Sequence, residues 1–187
     1  MTLPANIQKA VDALYKNSAS VSAVMAVRET EANRFKHALE DLEQLSDQEQ
    51  IPIAIVGGLA AIHFGYPAVT EDIDVAVARE HLPALLAVAN QYGFKIACEV
   101  DSGWHTLQHG DVELNIVPGG GKARDESPTT IPSPIQMGVP QGLGYASLST
   151  WLELKISSNR QKDRAHIVEV LKQSTPQQIQ NAREHLA

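Results

Sequence analysis

The chain has 187 residues, of which 43% are hydrophobic and 20% charged. That is enough for one cored domain with a helical annex, and it excludes global disorder. Lys and Arg number 15 against 22 Asp and Glu, a net charge of −7 that argues against a broad basic face for duplex nucleic acid, and the single cysteine, Cys98, excludes an internal disulfide or a Cys-rich zinc site.

Residues 5–16 carry Ile7, Val11, Leu14 and Tyr15 at helical spacing, and Asn17-Ser18 breaks the pattern. Val21 to Gln44 reads as a second helix. Val24, Val27, Phe35, Ala38, Leu39 and Leu42 lie on one side, with charged residues from Arg28 to Glu43 opposite. Residues 1–50 are therefore expected to be a helical segment that packs on the rest or offers a surface to a protein partner. From Ile51 to Gly65 the chain is apolar, but Pro52, Gly57, Gly58 and His63 interrupt a stretch already shorter than the roughly 20 residues of a membrane span. No signal peptide pattern is present at the N-terminus, and a cytoplasmic location is expected.

Ile53-Ala54-Ile55-Val56 predicts a buried strand ending in a Gly57-Gly58 turn, with a short helix from Leu59 to Phe64. Asp72 to Val77 alternates, so Ile73, Val75 and Val77 share one face and Asp72, Asp74 and Ala76 the other. His81 to Tyr92 predicts a helix closed by Gly93. Phe94 to Val100, Trp104 to His109 and Val112 to Val117 predict three further strands, with Cys98 buried inside the first. Residues 118–142, rich in Pro, Gly, Ser and Thr, read as one long loop. Ser149 or Thr150 is expected to cap a helix to Ser158; Lys162 to Lys172 continues as helix, and Thr175-Pro176 starts a last one. The fold class is α/β (α+β): a small mixed β-sheet core over residues 51–147, flanked by N-terminal helices and a C-terminal helical segment, 148–187.

The chemistry is expected between Val56 and Val75. A Gly-Gly pair between strand and helix lets backbone approach a phosphate, and the helix start offers N–H donors. Asp72 and Asp74, two residues apart on a strand, point the same way, with α carbons about 6–7 Å apart. Their repulsion is relieved by a divalent cation, and oxygen-only donors suit Mg²⁺ or Mn²⁺. By the same alternation Glu113 and Asn115 share a face of the Val112–Val117 strand. His105 and His109 are four residues apart on a strand, too far for a tight pair, and read as ordinary core or surface histidines.

Val56-Gly57-Gly58, a spacer, then Asp72-Ile73-Asp74 resembles the signature of nucleotidyltransferases of the DNA polymerase beta superfamily. Gly65-Tyr66-Pro67 with Thr70-Glu71-Asp72-Ile73-Asp74 is similar to the minimal prokaryotic members, including toxin–antitoxin enzymes. Leu152-Glu153-Leu154-Lys155 and Arg160-Gln161-Lys162-Asp163 are similar to the helices after the sheet in those proteins. The resemblance covers residues 51–172. It implies a nucleotidyltransferase core that moves a nucleotidyl group from a nucleoside triphosphate to an acceptor hydroxyl on a protein, an RNA end or a small molecule. Asp72 and Asp74 would hold Mg²⁺ or Mn²⁺, Gly57 and Gly58 would cradle the triphosphate, and Lys155 would neutralise its charge.

The sequence departs from the pattern at three places. Asn115 stands where a third carboxylate is usual; an amide brings no charge and cannot act as a base, so Glu113 is the candidate stand-in. Ala68 replaces a frequent Arg, and His166 a frequent Asp. These departures set a second expectation beside the enzyme: a catalytically degenerate nucleotide-binding or toxin–antitoxin interaction protein on the same fold.

Overall fold

The alternation from Asp72 to Ala78 builds a strand whose two faces differ in kind, and the rest of the molecule is arranged around it. The computed structural model describes residues 21–66, 70–99, 103–122 and 129–187. The strands are β1 (Ile53–Ile55), β2 (Asp72–Ala78), β3 (Lys95–Glu99), β4 (His105–His109), β5 (Val112–Gly119) and β6 (Leu143–Tyr145). They form one mixed sheet in the order β3-β4-β5-β2-β1-β6. β2 pairs in parallel with β5, and β1 with β6; the other neighbours are antiparallel. β1 pairs with β2 with Ala54 opposite Ala76 and Ile55 opposite Val75.

The helices are α1 (Val21–Gln48), α2 (Gly57–His63), α3 (Leu82–Val88), α4 (Leu148–Ser158), α5 (Gln161–Gln173) and α6 (Pro176–Leu186). α3 runs into a 3₁₀ turn, Ala89–Tyr92, closed by Gly93 at φ 81°, a conformation glycine adopts without strain. On one side of the sheet Ile53, Ile73, Val75, Val77, Leu114 and Ile116 pack against Leu82 and Leu85 of α3 and Ala38, Leu39, Leu42 and Leu45 of α1. Each such Leu contributes about 1.5–3 kcal/mol of burial. The expected apolar side of the long helix, from Phe35 to Leu45, thus belongs to the same core as the sheet. Polar links reinforce it: His109 Nε2 lies 2.7 Å from Asp41 Oδ2, and Tyr92 Oη donates to Gln48 and Glu49.

The opposite side has two parts. Ala54, Val56 and Ala76 are covered by Ile131, Met137 and Val139 from the segment after β5. Ala60 and Ala61 of α2 pack on Trp151 and Leu152 of α4, Val170 of α5 and Ala182 of α6. Between these two clusters the Asp72–Asp74 end of β2 is left open.

Several expectations are corrected. The Gly57-Gly58 pair forms the first residues of α2 rather than a turn before it. The long loop gives way to β6, a three-residue strand too short to show a period. Ser147, not Ser149 or Thr150, caps α4, its Oγ accepting from the Thr150 backbone N–H at 3.3 Å. Cys98 is exposed, not buried, because β3 is the edge strand and Lys95 to Cys98 are exposed along it, Ile96 at 45%. The Thr175-Pro176 start is present as a capping box with Gln178. The expected helix over residues 5–16 and the Ala68 position lie outside the described residues. No helix among the described residues is long and apolar enough to cross a membrane.

Candidate active site

Parallel pairing sets Asp72 opposite Glu113 and Asp74 opposite Asn115, so all four side chains project from one face of the β2–β5 ribbon. β4 extends that face with Thr106 opposite Asn115 and Gln108 opposite Glu113. Asp72, Asp74, Glu113, Asn115 and Gln108, with the start of α2 and the α4–α5 corner, line a cleft of about 1210 Å³. It reaches from Gly57 and Gly58 to Lys155, Arg160 and Lys162.

The glycine pair has a steric cause. A Cβ on Gly57 would stand 1.8 Å from Asp74 Oδ2, and φ is +62° there. A Cβ on Gly58 would stand 2.7 Å from Thr70 Oγ1. Backbone and carboxylate therefore approach more closely than any side chain permits. Two bonds fix the turn: the Val56 N–H donates to the Asp74 carbonyl at 2.9 Å, and Trp151 Nε1 donates to the Gly57 carbonyl at 3.0 Å. The fully buried Trp151 thus ties α4 to the site.

Asp74 is half-buried, and its carboxyl is held above the ordinary carboxylate range. Burial is the main cause and the neighbouring Asp72 charge the second; Lys155, Arg160 and Lys162 oppose them. Asp72 is held at both oxygens. Thr70 Oγ1 donates to Oδ1 at 2.9 Å and Asn115 Nδ2 to Oδ2 at 3.4 Å. Asn115 Oδ1 accepts from Thr106 Oγ1 at 3.0 Å. Glu113 lies on the cleft wall and is exposed. Among the described residues, no three Asp, Glu, His or Cys side chains converge closely enough to hold a metal ion. Asp72 and Asp74 are the carboxylate pair that would accept one: both donors are anionic oxygens, and a cation relieves the repulsion that raises Asp74.

The opposite wall is cationic. Lys155 is buried, and its ammonium donates to Asp163 Oδ1 at 3.0 Å while lying 5.7 Å from the centre of the Trp151 ring. Asp163 is fully buried. Besides Lys155 it accepts from Arg160 Nε at 2.8 Å, from the Arg160 backbone N–H at 3.2 Å and from Ser158 Oγ. These donors overcome burial and hold its carboxyl well below the usual range. Lys155 therefore shares its charge with Asp163, and the exposed Arg160 and Lys162 complete the wall. His166 also lines the cleft, its ring 4.5 Å from that of Tyr66. Burial, and then Lys155, depress its pKa, and Nδ1 is buried without a hydrogen-bond partner. The two β4 histidines go to separate partners, His105 to the Gly103 carbonyl and His109 to Asp41.

The Trp151 Nε1 bond carries no local signal of its role, because it acts on a residue 94 positions away, whereas Thr70 acts on Asp72 only two residues on. The β4–β5 register is what singles out Thr106. Asp163 is readable as part of the Arg160-Gln161-Lys162-Asp163 stretch and as a carboxylate in the first turn of a helix, but its bond to Lys155 is not.

No protein-family model matches the chain, and no curated protein matches it. Among solved structures it is similar to the antibiotic-resistance factor ANT(2'')-Ia in solution, at 15% identity and a TM-score of 0.52, covering 79% of this chain and 88% of that one. It is similar also to ANT(2'')-Ia in complex with adenylyl-2''-tobramycin, at 15% identity and a TM-score of 0.53, covering 80% and 95%. At this identity the likeness speaks to architecture, and with the sheet order and the glycine–carboxylate cleft it gives the chain a nucleotidyltransferase fold.

Proposed function

We propose that the protein transfers a nucleotidyl group from a nucleoside triphosphate to an acceptor hydroxyl. The observation that carries this reading is the open end of β2: Asp72 and Asp74 face a cleft whose far wall is Lys155, Arg160 and Lys162. A triphosphate laid between the walls meets cations on one side and the carboxylate pair on the other, with Gly57 and Gly58 as the bare backbone beside it. Bound Mg²⁺ or Mn²⁺ would neutralise charge on the phosphates and the entering oxygen. The acceptor hydroxyl oxygen attacks the α-phosphorus and gives its proton to water in the open cleft, the bond from that phosphorus to the bridging oxygen breaks, and pyrophosphate leaves. Asp72 and Asp74 would hold the ion, and Arg160 and Lys162 would take up charge on the leaving phosphates.

The acceptor rim carries Glu71, Asp111 and Glu113. This acidic edge, with the net charge of −7, favours a small, cationic, hydroxylated acceptor over an RNA end. The adenylylated aminoglycoside bound by ANT(2'')-Ia is a molecule of that kind. One observation favours the second reading, a nucleotide-binding protein of toxin–antitoxin type without turnover: Asn115 supplies an amide beside Asp72 where a base would be useful. Incubation with α-labelled ATP, CTP, GTP and UTP, Mg²⁺ or Mn²⁺ and polyamine-rich hydroxylated acceptors tests the pair. Label transfer that disappears in Asp74→Ala supports the enzyme. Nucleotide binding with no transfer supports the second reading.

A further inference from the structure

The four-member chain Thr106–Asn115–Asp72–Thr70 has a direction. Asp72 is a carboxylate and can only accept, so the Asn115 group facing it at 3.4 Å is the NH₂, and the amide oxygen is the group turned to Thr106 Oγ1 at 3.0 Å. The Thr106 hydroxyl can serve that oxygen as a donor, so both ends of the amide are satisfied in one orientation. The consequence is that Asn115 shows a donor, not an oxygen, toward the carboxylate pair. Glu113, though opposite Asp72 in register, does not converge with Asp72 and Asp74 into a three-ligand group. Two anionic side chains remain, and their combined charge balances one divalent ion.

We propose that Thr106 and Asn115 are positioning residues that lock Asp72, and that the site consequently takes one divalent cation rather than two. This rests on the metal-holding role given to Asp72 and Asp74 above. Thr106 acts only through Asn115: it fixes the amide, the amide fixes Asp72 Oδ2, and Thr70 fixes Oδ1. Partners of this outer kind typically change metal affinity 10–100-fold. An Asp at 115 would exchange the donor for a third carboxylate and create room for a second ion.

The experiment counts Mn²⁺ by electron paramagnetic resonance on the full chain mixed with one equivalent of a non-hydrolysable nucleoside triphosphate. One tightly bound ion per complex is expected for the wild type and two for Asn115→Asp. Thr106→Val should weaken the single site about 10-fold, and Thr106→Ser, which keeps the hydroxyl, should retain wild-type affinity. A merely structural Thr106 would lower the melting temperature and leave Mn²⁺ affinity unmoved. Two ions in the wild type, one in a folded Asn115→Asp, or unchanged affinity in Thr106→Val would each overturn the proposal. Should Asn115→Asp fail to fold, the Thr106 pair still decides. A count that is the same in wild type and Asp72→Ala would instead remove the metal role of Asp72, and this inference with it.

Discussion

Asp74 lines the cleft, Asp163 is buried behind its cationic wall, and the two are displaced in opposite directions. Burial raises the proton affinity of both. Asp163 has Lys155, Arg160 and Ser158 hydrogen-bonded to it, and they reverse the effect of burial. Asp74 has Asp72 beside it and its cations only at a distance, so burial and repulsion prevail. A buried carboxylate surrounded by donors is held ionised; one set beside a second carboxylate is destabilised as an anion.

The contrast breaks most visibly at Asp163. Asp163→Ala leaves the buried Lys155 without its partner and should cost about 3–5 kcal/mol, read by denaturant unfolding. The pH dependence follows the same pair. The folded-state pKa of Asp163 lies below its unfolded value, so its stabilisation is complete above about pH 4 and is lost as pH falls toward the folded value. The stability gap between wild type and Asp163→Asn should therefore be constant near neutrality and narrow in acid. A gap that widens below about pH 4 would contradict the assignment.

Gly57→Ala comes next. The left-handed φ alone costs about 1–2 kcal/mol, and the new Cβ displaces Asp74 Oδ2. Mn²⁺ affinity should fall with stability in this variant, whereas an alanine at the exposed Gly110, where a Cβ meets nothing within 4 Å, should leave affinity unchanged. Trp151→Phe removes the bond to the Gly57 carbonyl and should cost about 1 kcal/mol, checked by thermal unfolding. The smallest effect has the opposite sign. Asp74→Asn removes a charge that is half-buried beside Asp72, so it should raise the melting temperature slightly in metal-free buffer while weakening Mn²⁺ binding.

What the sequence made legible follows from how local each signal is. The alternation of Ile73, Val75 and Val77 against Asp72 and Asp74 is a property of seven residues, and it correctly divided the core face from the open face. The glycine pair was visible too, though the steric need for it, the nearness of Asp74 and Thr70, arises only when β2 pairs with β1. Cys98 misled because an apolar run predicts burial, whereas burial depends on which strand lies at the edge. β6 was hidden because three residues among Pro and Gly show no period. Lys155 was readable as a cation, but its engagement by Asp163 depends on how α4 meets α5.

We propose that the Asp72–Asp74 pair is a cation site serving a bound nucleotide. Calorimetry of Mn²⁺ binding, with and without nucleoside triphosphate, on the wild type and on Asp72→Ala/Asp74→Ala tests it most directly. Weak binding by the wild type alone, tighter binding with nucleotide, and loss of both in the double variant are expected. Equal affinity in the two proteins would contradict it.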